Sequence, residues 1–183
     1  MDMSFQGDLR VVFSTEWFSV KEIPPDRSQH KDSKPYYVIT ESDSIVVLPV
    51  TRDGQILLVR QFRPARNHIT LEIPAGAIEA GETPAEAVVR ELREETGYTT
   101  SEVEFLSCGA LGLNRDTSNA SFFVAFDVMP IPGAVLETGS EPVLMDGAAF
   151  SAMVRESGFE QIAALGVIAL AKLIFKDRLH FLL

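Results

Sequence analysis

The chain has 183 residues, of which 46% are hydrophobic and 23% are charged, and its formal net charge is −10. This length can bury a substantial core and favours one main domain with an extension. The acidic balance argues against a nucleic-acid or anionic-membrane partner. It does not exclude an anionic small substrate, because bound cations reverse the local sign of the charge.

Compartment signals point to the cytoplasm. The first residues show neither a cationic start nor an apolar run, so no signal peptide is predicted. The most apolar stretch, Ile162 to Phe175, contains Lys172 and is too short to cross a bilayer. The single cysteine, Cys108, cannot form an intrachain disulfide, and we predict that it is a buried strand residue.

The elements before residue 75 are predicted to be strands. Residues 9–23 indicate two short strands around a turn, followed by a polar, proline-bearing loop at 24–35. A strand at 45–50 and a returning strand at 55–61 flank the hairpin signal Asp53-Gly54. A further short strand at 69–74 leads into a glycine-bearing loop.

A helix is predicted next, with its own start and stop signals. Thr83 is a good N-cap, Pro84 suits the first helical position, and Glu86 completes a capping box. Gly97 stands where a left-handed C-terminal residue is favoured. The buried stripe at i, i+3, i+4 and i+7 consists of Ala85, Val88, Val89 and Leu92.

The elements after this helix complete an alternating order. Strands are predicted at 102–111 and 120–128, followed by a loop rich in glycine and proline. Helices are predicted at 148–156 and from Phe159 to about Phe175. Strands followed by a helix, twice over, favour a mixed sheet between helices.

Three carboxylates, Glu91, Glu94 and Glu95, lie close together on the first helix. At about 100° per residue they fill a sector of roughly 100° beside the buried stripe. Hard divalent cations such as Mg²⁺ or Mn²⁺ prefer these oxygen ligands and would offset the repulsion between like charges. The alternative is a solvated acidic face with helix salt bridges from Arg90 and Arg93.

The surrounding spacing decides against the solvated face. The segment follows the pattern G-x5-E-x7-R-E-U-x-E-E-x-G-U, in which U is a bulky apolar residue. A chance match in a chain of this length is about one in ten million at typical residue usage. The matching residues are Gly76, Glu82, Arg90, Glu91, Leu92, Glu94, Glu95, Gly97 and Tyr98.

This pattern resembles the signature of the Nudix hydrolase family. The resemblance implies an α/β/α sandwich with a mixed sheet, and hydrolysis of a nucleoside diphosphate linked to another group. It implies that Glu91, Glu94 and Glu95 share the metal ions and that the Ala75 carbonyl adds a ligand. The box residues to which it gives structural roles are Gly76, Glu82, Arg90 and Gly97, with Arg90 and Glu82 as an orienting pair.

The segment upstream of this box narrows the resemblance. Leu58 to Pro64, followed by Leu71 to Gly76, is similar to the branch that cleaves ADP-ribose and related nucleoside diphosphate sugars. In that branch N-terminal strands form a small antiparallel sheet that helps to build a homodimer, and both subunits reach the substrate. We therefore assign residues 1–43 to such an extension and residues 44–183 to the Nudix domain.

Three residues are predicted to bind substrate. Arg63 matches the branch arginine that contacts phosphates, and a guanidinium can hold phosphate oxygens bidentately; the alternative is a surface ion pair. Trp17 is predicted to stack on a nucleobase, with an interface role as its alternative. Arg115 could meet a phosphate, while Asn119 stands where the branch carries an acidic residue, so another sugar or terminal group remains open.

The catalytic base is placed by the same resemblance on a loop before a late strand. Glu141 is the first choice and Glu137 the second. The alternative is that both are ordinary loop carboxylates without a catalytic role. Base catalysis by Glu94 itself is the rival mechanism. The predicted reaction converts ADP-ribose to AMP and ribose 5-phosphate. The alternatives are a dinucleoside polyphosphate or reduced nicotinamide dinucleotide as substrate, or a module that binds ADP-ribose without cleaving it.

Overall fold

The computed structural model describes residues 9–25 and 34–182. Residues 1–8 of the predicted extension, most of the predicted loop at 24–35, and the last residue lie outside the described residues. The chain divides into two compact units. One comprises Met1–Asp43 with Ala110–Asn119, and the other comprises Ser44–Gly109 with Ala120–Leu183.

The first unit contains a three-stranded antiparallel sheet. Its strands are β1 (Arg10–Ser14), β2 (Phe18–Ile23) and β3 (Tyr36–Glu41), in the order β1-β2-β3. This confirms the predicted small N-terminal sheet. Residues 110–119 join the unit because the Ile39 N–H donates to the Arg115 carbonyl at 2.7 Å and the Thr117 N–H donates to the Ile39 carbonyl at 3.0 Å.

The outer strand of this sheet has an apolar surface. All five residues of β1 are exposed, among them Val11 and Phe13. The Phe13 ring lies 5.9 Å from that of Phe18, and Trp17, in the turn between the strands, is 76% exposed. A strand exposed in this way also presents unpaired backbone groups along its free edge.

The second unit alternates strands and helices. Its strands are β4 (Ser44–Pro49), β5 (Gln55–Arg63), β6 (His68–Glu72), β7 (Ala75–Ala77), β8 (Tyr98–Thr99), β9 (Glu102–Gly109), β10 (Ala120–Phe126), β11 (Met129–Pro130) and β12 (Glu141–Asp146). Its helices are α1 (Pro84–Glu91), a π-helical turn (Leu92–Thr96), α2 (Gly147–Arg155) and α3 (Ile162–Ile174).

Two sheets and a short pair organise these strands. The order β7-β4-β10-β9 is mixed, because β10 runs parallel to β4 while the other pairs are antiparallel. The order β12-β5-β6 is antiparallel, and β8 pairs with β11. The chain turns between β4 and β5 at Gly54, whose φ of 82° suits glycine. The predicted hairpin is reduced to an isolated antiparallel bridge between Val50 and Ile56, because the two strands enter different sheets. The predicted mixed sheet is confirmed.

Both faces of the central strands are covered, which explains their continuous apolar runs. Alternate residues of β4 and β5 enter two different cores. One core joins Ile45, Val47 and Leu57 to the α1 side, through Ala87, Val88 and Leu92. The other joins Val46, Leu48, Ile56 and Leu58 to the α2 and α3 side, through Phe150, Ala164 and Ile168. This layering confirms the predicted α/β/α sandwich.

Two sequence predictions of burial are wrong, those for Ala85 and Cys108. Ala85 is exposed, because the buried face of α1 runs through Ala87 and Val88. Cys108 is exposed rather than buried, because it lies near the end of β9, an edge strand of the mixed sheet. The helix predicted from Phe159 begins at Ile162, although Phe159 is buried against Phe150 with ring centroids 5.2 Å apart. No helix in the described part of the chain is long and apolar enough to cross a membrane.

Candidate metal-binding and catalytic site

The helix that carries the carboxylates begins at a capping box. The Glu86 N–H donates to the Thr83 hydroxyl at 3.3 Å, and the Thr83 N–H donates to the Glu86 carboxylate at 2.8 Å. Pro84 occupies the first turn, where no intrahelical donor is needed. These reciprocal bonds fix the start of α1, and so the direction in which its carboxylates project.

The end of the helix differs from the sequence prediction. Its last turn, Leu92–Thr96, is π-helical, and the Gly97 N–H reaches the carbonyls of both Leu92 and Arg93. Gly97 has a φ of 73°, which is the predicted left-handed position. The Thr96 hydroxyl also donates to the Leu92 carbonyl. Because a π turn is wider than an α turn, the spacing of 100° per residue does not place Glu94 and Glu95.

Arg90 ties the helix to the loop that precedes it. Its Nε and Nη2 donate to the two carboxylate oxygens of Glu82 at 2.9 and 3.0 Å. Nη2 also donates to the Ala77 carbonyl at 2.7 Å. The Arg90 side chain is only 16% exposed, and its pKa is raised mainly by the hydrogen bonds to Glu82. One charged side chain therefore holds the helix and the segment before it together.

The same guanidinium is the counterion of two helix carboxylates. Arg90 Nη1 lies 2.7 Å from Glu91 Oε1 and 3.3 Å from Glu94 Oε2. Glu94 also receives a bond from Arg93 Nη2 at 3.1 Å. Glu91 is buried and Glu94 is more open, so the positive charge of Arg90 compensates chiefly the carboxylate that is shielded from water.

Gly76 provides the space that Glu91 occupies. A Cβ atom at Gly76 would lie 1.9 Å from Glu91 Oε1 and 2.1 Å from its Cδ, so no other residue fits without displacing the carboxylate. Burial raises the pKa of Glu91, although the hydrogen bond from Arg90 opposes this. The backbone of β7 therefore lies directly against the Glu91 side chain, with no room for a side chain of its own at Gly76.

Glu95 is the most deeply buried of the three carboxylates. Only 4% of the residue is exposed, and burial raises its pKa to about 7. Gln61 Nε2 donates to Glu95 Oε1 at 2.6 Å, and the Ala75 N–H donates to Oε2 at 3.3 Å. Ala75, whose carbonyl was predicted as a ligand, thus lies directly beside Glu95.

The chemical types of these ligands suit a hard divalent cation. Three carboxylates and a nearby backbone carbonyl are the ligands that Mg²⁺ and Mn²⁺ prefer. Among the described residues, 9–25 and 34–182, however, no three or more acidic, histidine or cysteine side chains lie close enough together to hold a metal ion. Since Arg90 engages Glu91 and Glu94, cation binding would require these carboxylates to exchange an arginine for the metal.

Arg63 is held beside the carboxylates by a salt bridge. Its Nε and Nη2 donate to the two oxygens of Glu72, each at 2.8 Å, and the Thr70 hydroxyl donates to Glu72 at 2.5 Å. These bonds outweigh burial and lower the pKa of Glu72. The pKa of Arg63 is raised chiefly by Glu72, with the nearby charges of Glu95 and Glu137 adding to it.

The two predicted bases have different surroundings. The Glu137 N–H donates to the Glu94 carbonyl at 2.7 Å, and the Glu137 charge acts on Arg63 and Glu91. Glu141 is the first residue of β12 and lies opposite Arg60, with Oε1 2.9 Å from Arg60 Nη1. Arg60 alternates with Gln61, so it projects from the face of β5 opposite to the one that meets Glu95.

The remaining predicted residues belong to the first unit. Trp17 is exposed there, and the Arg115 guanidinium lies 4.4 Å above the Tyr36 ring while donating to the Tyr37 carbonyl at 2.7 Å. The Asn119 N–H donates to Asp43 at 2.8 Å. These contacts order the unit itself.

Two residues of the site were missed by the sequence analysis. Gln61 binds Glu95, and Glu72 orients Arg63. The signal for Gln61 was present, since residues two apart on a strand share a face and Gln61 precedes Arg63 by two. The signal for Glu72 was weaker, because its partner lies on a neighbouring strand.

The Arg90 network yields a stability prediction. Replacing Arg90 with Lys removes the paired bonds to Glu82, so we expect a loss of about 1–3 kcal/mol in the free energy of unfolding. Arg93→Lys, on the same helix and also next to Glu94, should change it by less than about 0.5 kcal/mol. Urea unfolding followed by circular dichroism measures both. Equal effects of the two substitutions would contradict the assigned role of Arg90.

Comparisons with known proteins agree with this geometry. A family model described as NUDIX domain matches residues 41–142. The ADP-ribose pyrophosphatase of Bacillus subtilis (strain 168) is 37% identical over 82 residues, which cover 45% of this chain and 42% of that protein. The ADP-sugar pyrophosphatase of Mus musculus is 48% identical over 84 residues, which cover 43% of this chain and 38% of that protein. These matches span less than half the length of either relative.

A solved structure shows the same fold. It is described as a crystal structure of ADP compounds hydrolase and superimposes with a TM-score of 0.75, covering 93% of each chain at 18% sequence identity. At this identity the likeness concerns the fold alone. The family model, in contrast, covers more than half of the chain and includes the glycine loop, the helix and its carboxylates. The chain belongs to the Nudix family.

Proposed function

We propose that this protein hydrolyses the pyrophosphate bond of a nucleoside diphosphate sugar, with ADP-ribose giving AMP and ribose 5-phosphate as the best assignment. The observation that carries the proposal is the grouping of Glu91, Glu94 and Glu95 around one π turn, beside Gly76 and under the Arg90–Glu82 pair. A solvated acidic helix face would not require two of its carboxylates to be buried.

The chemistry explains the arrangement. A pyrophosphate is anionic and resists attack by an anionic nucleophile. Bound Mg²⁺ or Mn²⁺ would neutralise phosphate oxygens and make water more acidic. The protein then has to place charge: the helix carboxylates hold the cations, Arg63 binds a phosphate oxygen, and a glutamate accepts the proton of the attacking water.

The substrate assignment rests on Arg63 and on the named relatives. Glu72 holds the Arg63 guanidinium in a fixed plane close to Glu95, which suits a phosphate held next to the metal ligands. Relatives that match the box region are named ADP-ribose pyrophosphatase and ADP-sugar pyrophosphatase. A dinucleoside polyphosphate or reduced nicotinamide dinucleotide would use the same machinery.

A substrate panel tests the activity. We expect AMP and ribose 5-phosphate from ADP-ribose when Mg²⁺ or Mn²⁺ is present and none with chelator, as resolved by chromatography. Glu95→Gln should lower kcat by about 100-fold or more, because it removes a buried charge from the metal site. Glu104→Gln, an exposed carboxylate on β9, is the matched control and should retain full activity.

Two outcomes would change this conclusion. An active Glu95→Gln protein would remove the metal assignment. Binding of ADP-ribose without turnover, in the presence of either metal ion, would favour a sensing module in place of an enzyme.

For the proton acceptor we propose Glu137 in preference to Glu141. Glu137 is bonded through its backbone to Glu94 and acts electrostatically on Arg63, whereas Glu141 pairs with Arg60 on the other strand face. Glu137→Gln should lower kcat by about 10²–10⁴. Glu141→Gln, the matched control, should lower it far less. A larger loss in Glu141→Gln would move the base to Glu141, and small losses in both would favour Glu94.

We further propose a homodimer formed through the N-terminal sheet. Val11, Phe13 and Trp17 expose apolar surface on and beside an edge strand, which a second copy would cover. Light scattering should give twice the 20.1 kDa mass of one chain. Phe13→Glu should yield monomers, while Leu173→Glu, at an even more exposed apolar site on α3, should not. A monomeric wild-type protein would remove the model of a shared site.

A further inference from the structure

The loop that carries Glu137 is attached to the π-helical turn at several points. Residues 131–140 leave β11, which pairs with β8 directly after the turn. The Ile131 N–H donates to the Gly97 carbonyl at 2.8 Å, and the Glu137 N–H donates to the Glu94 carbonyl at 2.7 Å. Two backbone bonds thus join the loop to the π-helical turn and to the glycine that follows it.

The bond between Glu137 and Glu94 completes the end of the helix. The last carbonyls of a helix have no partner within it and must find donors elsewhere. Here the chain turns away at Gly97, and the Tyr98 N–H donates to the Thr96 hydroxyl. The Glu94 carbonyl therefore takes its donor from the loop. The residue whose side chain is a predicted metal ligand is joined by its backbone to the residue proposed as base.

The Leu136 side chain packs the loop against Gly97, the residue that ends the π-helical turn. A Cβ atom at Gly97 would lie 3.0 Å from Leu136 Cδ2 and 3.2 Å from Ala134 Cβ, so the loop side chains occupy the space beside this glycine. Leu136 is half-buried, whereas Val135 before it is 90% exposed. Leu136 therefore makes, together with Ala134, the apolar contact of this loop with Gly97.

We propose that Leu136 is a positioning residue for the hydrolytic reaction, an inference that rests on the proposed function. Seated beside Gly97, it keeps the Glu137 N–H on the Glu94 carbonyl. It thereby fixes the Glu137 carboxylate relative to the carboxylates of the helix. Because a misplacement of about 1 Å can cost about 100-fold in rate, the reaction depends on this contact even though Leu136 itself touches no reacting atom.

The test compares Leu136→Ala with Val135→Ala, its exposed neighbour, and with Leu136→Met, which preserves apolar bulk. Hydrogen exchange of the Glu137 amide, followed by NMR without metal or substrate, reports the backbone bond directly. We expect Leu136→Ala to speed this exchange about tenfold or more while Val135→Ala leaves it unchanged. Kinetics with ADP-ribose should show kcat lowered about tenfold or more in Leu136→Ala, with KM within about threefold of the wild-type value. Leu136→Met should recover most of the rate.

Several results would overturn the inference. Unchanged exchange of the Glu137 amide in Leu136→Ala would show that the contact does not hold the loop. A kcat no lower than that of Val135→Ala, or a loss carried by KM, would remove the positioning role. If the wild-type protein hydrolyses no member of the substrate panel, the proposed function fails, whereas Leu136-dependent exchange would still support the attachment of the loop.

Discussion

The site depends on one partly buried guanidinium. Arg90 joins Glu82 on the loop and the Ala77 carbonyl at the end of β7 to Glu91 and Glu94 on the helix, so a single cation organises both halves of the motif. Without it, the buried Glu91 carboxylate would lose solvation and be repelled by Glu94, with no positive charge in compensation. Arg90 therefore acts as an internal counterion, and a bound divalent cation would take over part of this role from it.

The remaining parts of the site follow from how closely three segments approach that helix. β7 approaches through Gly76, where any side chain would collide with Glu91. β5 approaches through Gln61, which binds the buried Glu95. The loop after β11 approaches through its backbone at Glu94. The π turn widens the helix where these contacts meet, and widened turns of this kind occur frequently at functional sites.

The sequence predicts local features well because their causes are local. The capping box at Thr83, the left-handed Gly97 and the Asp53-Gly54 turn each depend on a few adjacent residues, and all are present. The π turn was not predicted, because a helical wheel assumes uniform spacing. The exposure of Cys108 was missed because the order of strands in a sheet is a long-range property. The contrast between Glu137 and Glu141 likewise depends on the pairing of β12 with β5, which no local pattern encodes.

We propose that Glu91, Glu94 and Glu95 bind a divalent cation, for which Glu91 and Glu94 exchange their bonds to Arg90. The most direct measurement is a crystal structure of the protein grown with Mn²⁺, with the ion located from its anomalous scattering. We predict density for the ion among Glu91, Glu94, Glu95 and the Ala75 carbonyl, with Arg90 still bound to Glu82 but released from Glu91 and Glu94. An ion bound elsewhere, or no ion at millimolar Mn²⁺ with Arg90 unmoved, would contradict the account.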